Sequence, residues 1–250
     1  MKKHSIALLL LLVLLTGCGA KTEEAPWQTA YRETGKYLQE QDALSAGSVG
    51  GEWAVIGLSR AGLLSDETAQ SYEQTVEDYV KQAGSVRLHH AKSTENSRAI
   101  LGLTAAGYNA ANMAGVDLTA GLTDMAYLRA QGTNGPIWAL IALDCHGYDI
   151  PQCADGEEQT TCEGLVAEIL SYQCSDGGWA LMGDESDVDM TAMALTSLAP
   201  YQEETDIKAA VDAPRPICRC PAGRWRLHEL GRGQQRVLRT GHRGSDGAGH

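Results

Sequence analysis

This chain contains no phenylalanine, and aromatic residues make up only 6% of its 250 positions. A cavity that steadies cations on ring faces draws on Trp, Tyr and Phe, so the supply for one is thin. Positive charge is also scarce before residue 214. Residues 1–213 hold 12 Lys+Arg against 30 Asp+Glu, which disfavours nucleic acid and other anionic partners. Metal-ligand patterns are nearly missing. Cys145-His146 is the one Cys/His neighbour pair outside the chain ends, and a helix would splay the adjacent His89 and His90 by about 100°. No metal site is expected. No apolar run approaches the roughly 20 residues of a membrane-spanning helix. Strand signals are weak throughout.

The longest apolar run, residues 6–15, follows Lys2 and Lys3 and suits the core of a secretory signal. It leads into Leu15-Thr16-Gly17-Cys18, which resembles the bacterial lipobox. That resemblance implies cleavage after residue 17 and acylation of Cys18, because one acyl chain alone holds a protein only marginally at a membrane. Residues 1–17 are therefore expected to be a lipoprotein signal peptide and residues 18–26 a short tether. The mature protein is then expected at the outer face of the cytoplasmic membrane, held there by its lipid anchor.

Composition changes near residue 213. Residues 214–250 hold 8 Arg and no Lys, with Glu229 and Asp246 as the only acids. Read one base out of frame, residues 224–231 permit a second Asp-Gly-Gly-aromatic segment like that at 176–179. Continued to residue 250, the same frame permits an echo of residues 96–107. Residues 214–250 are accordingly read as a frameshifted tail without a native fold, and a clean reading frame at the locus would refute this. Cys218 and Cys220 fall in that tail and carry no site.

Between these ends lies a repeat. Four small-apolar helical stretches, residues 53–62, 99–107, 138–147 and 191–200, align on Leu58, Leu103, Leu143 and Leu195. Three end at Gly62, Gly107 and Gly147, where glycine tolerates the left-handed cap conformation. A second helical stretch precedes each, at residues 31–39, 72–82, 122–130 and 165–172. In the last of these, Leu165, Val166, Ile169 and Leu170 share one face at helical period. The unit is a helical hairpin whose apolar face its neighbours must cover. The expected fold is all-α over residues 27–213.

Two segments carry a resemblance. Gln173-Cys174-Ser175-Asp176-Gly177-Gly178-Trp179 fits the Gln-x-x-x-Gly-x-Trp pattern of triterpene cyclase repeats, and Gly51-Glu52-Trp53 looks like a degenerate copy. Residues 187–192, Asp-Val-Asp-Met-Thr-Ala, resemble the Asp-x-Asp-Asp-Thr-Ala segment of squalene-hopene-type cyclases. The chain thus resembles the terpenoid cyclase/protein prenyltransferase superfamily, whose fold is an α/α toroid of helical hairpins. Four hairpins, or five with the frame restored, would leave the ring incomplete. The resemblance makes Asp189 a candidate general acid with Asp187 beside it, though Met190 replaces the final Asp of the motif. A protonated catalytic carboxyl would need burial and supporting partners. The alternatives are that Asp187 and Asp189 start a helix, or that they, with Asp176 and Trp179, make polar or stacking contacts to a bound ligand. Trp53, Trp138 and Trp179 recur near corresponding repeat positions, as packing residues or as a ligand platform.

The same toroid occurs in vitamin B12 carriers of the intrinsic factor type, so a corrinoid is the one bound group the resemblance implies; no cofactor is otherwise expected. Cys145, Cys153, Cys162 and Cys174 form an even set outside the membrane, with three possible pairings. The favoured bridges are 153–162 and 145–174, against four reduced thiols. The functional expectation is a non-catalytic module that binds a small molecule, peptide or partner at the cell surface. A terpene cyclase or prenyltransferase-type enzyme and a structural adhesion repeat are the alternatives.

Overall fold

A computed structural model describes residues 25–41 and 44–213. The signal, Cys18 and residues 214–250 lie outside the described residues. Those described form an all-α structure with nine α-helices, and no strand is present among them. The helices are α1 (Pro26–Gln39), α2 (Val49–Arg60), α3 (Asp66–Ala83), α4 (Thr94–Ala105), α5 (Met125–Arg129), α6 (Asn134–Asp144), α7 (Cys162–Ser171), α8 (Val188–Leu198) and α9 (Thr205–Asp212). Short 3₁₀ turns at Ala110–Asn112 and Leu118–Leu122 join α4 to α5, and another at Ala199–Tyr201 follows α8.

Local chemistry places most of the helix starts. Ser48, Ser65, Thr161 and Asp187 each accept a hydrogen bond from a backbone N–H in the first turn of the following helix. Such caps satisfy donors that have no partner inside the helix. The even-numbered helices begin about a turn earlier than the apolar pattern predicts. Their first turns carry small or polar residues, which an apolar template passes over.

Alternate helices pack in sequence: α2 on α4, α4 on α6, and α6 on α8. Each of these helices buries an alanine and a leucine four apart. Ala54 and Leu58, Ala99 and Leu103, Ala139 and Leu143, Ala194 and Leu198 are all buried. Residues four apart share a helix face, and alanine lets the neighbouring backbone approach closely. The equivalent of Leu58, Leu103 and Leu143 in α8 is therefore Leu198, one turn beyond the expected Leu195, which is only half-buried. Helix α6, mid-row, is buried nearly all round, as a helix with neighbours on both flanks must be.

The three glycine stops are formed as expected. Gly62, Gly107 and Gly147 have φ of 66°, 88° and 64°. In each case the following residue donates its N–H back to the conserved-register leucine: Leu63 to Leu58, Tyr108 to Leu103 and Tyr148 to Leu143, all at 2.9 Å. The fourth helix lacks such a glycine and runs on into the 3₁₀ turn Ala199–Tyr201.

Candidate functional site

The four even-numbered helices share one further surface, a cavity of about 540 Å³. Ile56, Leu101, Ile141 and Thr196, each two residues before a buried leucine of the row, line it. Trp53, Trp138 and Met193, each five residues before, complete the apolar wall. The repeat thus delivers the same positions from successive helices to one place. The indoles of Trp53 and Trp138 meet with ring centroids 5.3 Å apart and planes tilted by 59°. This is a favourable edge-to-face type of contact, and Trp53 remains 39% exposed.

The hydroxyl protons on the wall are already committed. Ser59 donates to the Ala105 carbonyl at 2.5 Å, and Thr196 to that of Ala192 at 2.8 Å. Thr104 donates to Ile100 O at 2.8 Å and meets the Tyr148 hydroxyl at 2.8 Å. The Cys145 thiol points to Ala142 O, and burial pushes its pKa up. Among the described residues no carboxylate lines this cavity. Arg60 stands exposed at its rim with no ion pair among the described residues. Donors therefore remain at Arg60 and at the two indole N–H groups, and the wall carries no anionic acceptor to compete for them.

Behind this wall, Glu52 is almost fully buried. Its Oε1 accepts the Gly47 N–H at 2.6 Å, while its Oε2 and the hydroxyl of buried Tyr72 have no partner. Burial raises the Glu52 pKa, opposed by the Gly47 N–H and the positive charge of Arg98; Glu95 adds to the rise. The folded state thus keeps the Glu52 proton to higher pH than the unfolded chain does. Stability from this group is greatest below the ordinary carboxylate range and falls as pH rises toward the folded-state value. Glu52→Gln removes the titration. In urea unfolding between about pH 4 and pH 7 the variant should gain on the wild type as pH rises. A stability difference independent of pH would contradict this account.

The sequence-predicted residues gather elsewhere, in the loop between α7 and α8. Trp179 is fully buried and donates Nε1–H to the Ile169 carbonyl at 2.7 Å, so it offers no ring face to a ligand. Its backbone N–H meets Thr191 Oγ1 at 3.0 Å. Gln173 donates to both Gly177 O and Ala210 O, tying the loop to α9. Asp176 is exposed; its carboxylate accepts from Gly178 N–H and from the Ser186 hydroxyl, which lowers its pKa. Asp187 caps α8 through Met190 N–H at 2.7 Å, and Asp189 is exposed in the first turn. The Gln-x-x-x-Gly-x-Trp segment therefore acts as a structural staple. Asp189 is exposed at the start of α8 rather than buried in the core.

Neither expected disulfide is formed. Cys145, Cys153, Cys162 and Cys174 are free thiols. The loop that a 153–162 bridge would close is closed by Gln159 instead. Its Oε1 accepts the Cys153 N–H at 2.8 Å, and its Nε2 donates to Pro151 O and Thr160 O at 3.1 and 2.9 Å. Backbone bonds from Met125 to Glu158 and from Thr160 to Thr123 dock the same loop on the start of α5. Cys145 and Cys174 turn toward different carbonyls, those of Ala142 and Tyr172.

Sequence reading passed over the partly buried ionic node beside this loop. Arg87 pairs with Asp124 at 3.1 Å and Glu157 at 2.5 Å, and lies 4.5 Å from the Tyr127 ring centroid. Arg129 forks onto both carboxylate oxygens of Glu168, at 2.9 and 2.8 Å, and also pairs with Glu158. Among the described residues no group of three or more His, Cys, Asp or Glu could hold a metal, and no helix is long and apolar enough to cross a membrane. Comparison with protein-family models, curated proteins and solved structures finds no match to this chain.

Proposed function

We propose that this chain is a non-catalytic binding module of the α/α-toroid type, displayed at the outer face of the cytoplasmic membrane through a lipid on Cys18. Its ligand seat is the cavity shared by α2, α4, α6 and α8. The observation that carries this reading is the make-up of the wall: a tilted indole pair and aliphatic side chains, free donors, and no carboxylate among the described residues. Ligand sites are concave and mostly apolar, with a few placed polar groups, and commonly enclose about 300–1,000 Å³. The ligand this wall fits has an apolar body and an anionic or acceptor-rich end that reaches Arg60.

The enzyme alternative draws on the same indole pair, whose faces could steady a cation. Among the described residues its expected acids do not reach the cavity, because Asp187 and Asp189 belong to the start of α8.

Anilinonaphthalene sulfonate, an apolar anion, is a suitable first probe. The wild-type chain should bind it at one saturable site. Trp138→Ala should weaken binding at least tenfold, a loss of about 1.4 kcal/mol, with the fold retained by circular dichroism. Equal binding by both proteins would remove the cavity as the seat.

A further inference from the structure

The first described helix leaves its aromatic residues uncovered. On α1, Trp27, Tyr31 and Tyr37 are 67%, 54% and 61% exposed. Trp27 and Tyr31 stand four apart on one helix face. Gly35 is the only buried residue of α1, at the point where the helix meets Leu63. The side chain of Gln39 bonds to the Leu63 carbonyl close by, and Leu38 packs on the core. The helix is thus held by its C-terminal half, and its N-terminal half stands clear of the body.

We propose that this half of α1 rests on the membrane, with Trp27 and Tyr31 set at the level of the lipid headgroups. The proposal rests on acylation of Cys18. Trp27 stands nine residue steps after Cys18. Fully extended they reach about 30 Å, so a lipid at Cys18 keeps the helix within that distance of the bilayer surface. Indole and phenol rings favour the interface, where an apolar body and a polar tip are both accommodated. Charge points the same way. Residues 44–213 hold 25 Asp+Glu against 7 Lys+Arg, whereas α1 carries Arg32 and Lys36 against Glu33. An anionic leaflet therefore repels the body of the protein far more strongly than this segment.

The full chain, extracted with its acyl groups, would be placed in phosphatidylcholine/phosphatidylglycerol vesicles containing lipid brominated near the headgroup end of its chains. Tryptophan emission should be quenched in the wild type and in Trp53→Tyr, and the quenching should disappear in Trp27→Tyr. Equal quenching in wild type and Trp27→Tyr, or none in either, overturns the proposal. So does a dimer in which Trp27 stays unquenched, since a second copy would then cover the helix. The mass of the N-terminal peptide decides the anchor separately. An acylated Cys18 with Trp27 unquenched refutes the docking alone, and a quenched Trp27 without acyl mass refutes the anchor alone.

Discussion

Replacing Trp179 by alanine should lower the unfolding free energy by about 3–5 kcal/mol, the usual cost of emptying a large aromatic site in a core. For a chain of this size that corresponds to a fall in Tm of roughly 10 °C or more. The side chain is fully buried and its indole N–H satisfies a carbonyl of α7. Its backbone is fastened to Thr191 of α8, and the loop carrying it is tied to α9 through Gln173. Three helices therefore lose a common support when the ring goes. Trp179→Phe keeps most of the apolar volume and should cost much less. A ligand platform would behave differently, with Trp179→Ala altering binding while Tm stayed near its original value. Thermal unfolding followed by far-UV circular dichroism separates the two.

Asn96→Ala should cost about 2–4 kcal/mol, because it strands several buried groups that each cost about 1–3 kcal/mol when unpaired. Asn96 is fully buried on α4. Its Oδ1 accepts the Leu88 N–H at 2.9 Å, and its Nδ2 donates to Val86 O at 2.6 Å and Leu118 O at 3.0 Å. One amide thus fastens the segment after α3 and the 3₁₀ turn at Leu118–Leu122 to the central row. Close packing enforces the arrangement: a Cβ on Gly121 would sit 2.2 Å from Asn96 Nδ2. Urea unfolding of the variant should show a lower midpoint. An unchanged midpoint would mean that water or a local shift replaces all three bonds.

The ends of the helices were legible because their signals are local. Gly62, Gly107 and Gly147 end helices by a backbone rule that needs no tertiary partner. Asp187 caps α8 for an equally local reason. The register of the fourth repeat was not legible: Leu195 and Leu198 lie one turn apart, and only packing against α6 selects Leu198. That single turn hides the cavity, since counting from Leu195 does not bring Met193 and Thr196 into line with Trp138 and Ile141. Trp53 and Trp138 read as equivalent to Trp179, yet Trp179 belongs to a loop and the other two to helices. Asn96 left no pattern of its own. Its importance comes from three backbone groups at residues 86, 88 and 118, which only the fold brings together. The 153–162 bridge expected from cysteine count is replaced for a related reason, because Gln159 closes that loop through bonds that spacing does not reveal.

The most direct test of the ligand seat follows the indole N–H signals of ¹⁵N-labelled chain by NMR during titration with dodecanoate below its micelle-forming concentration. The signals of Trp53 and Trp138 should move together and saturate, Trp179 should stay in place, and Arg60→Gln should weaken the response. Immobile Trp53 and Trp138 signals throughout the titration would contradict the assignment of the cavity as a binding site for apolar anions.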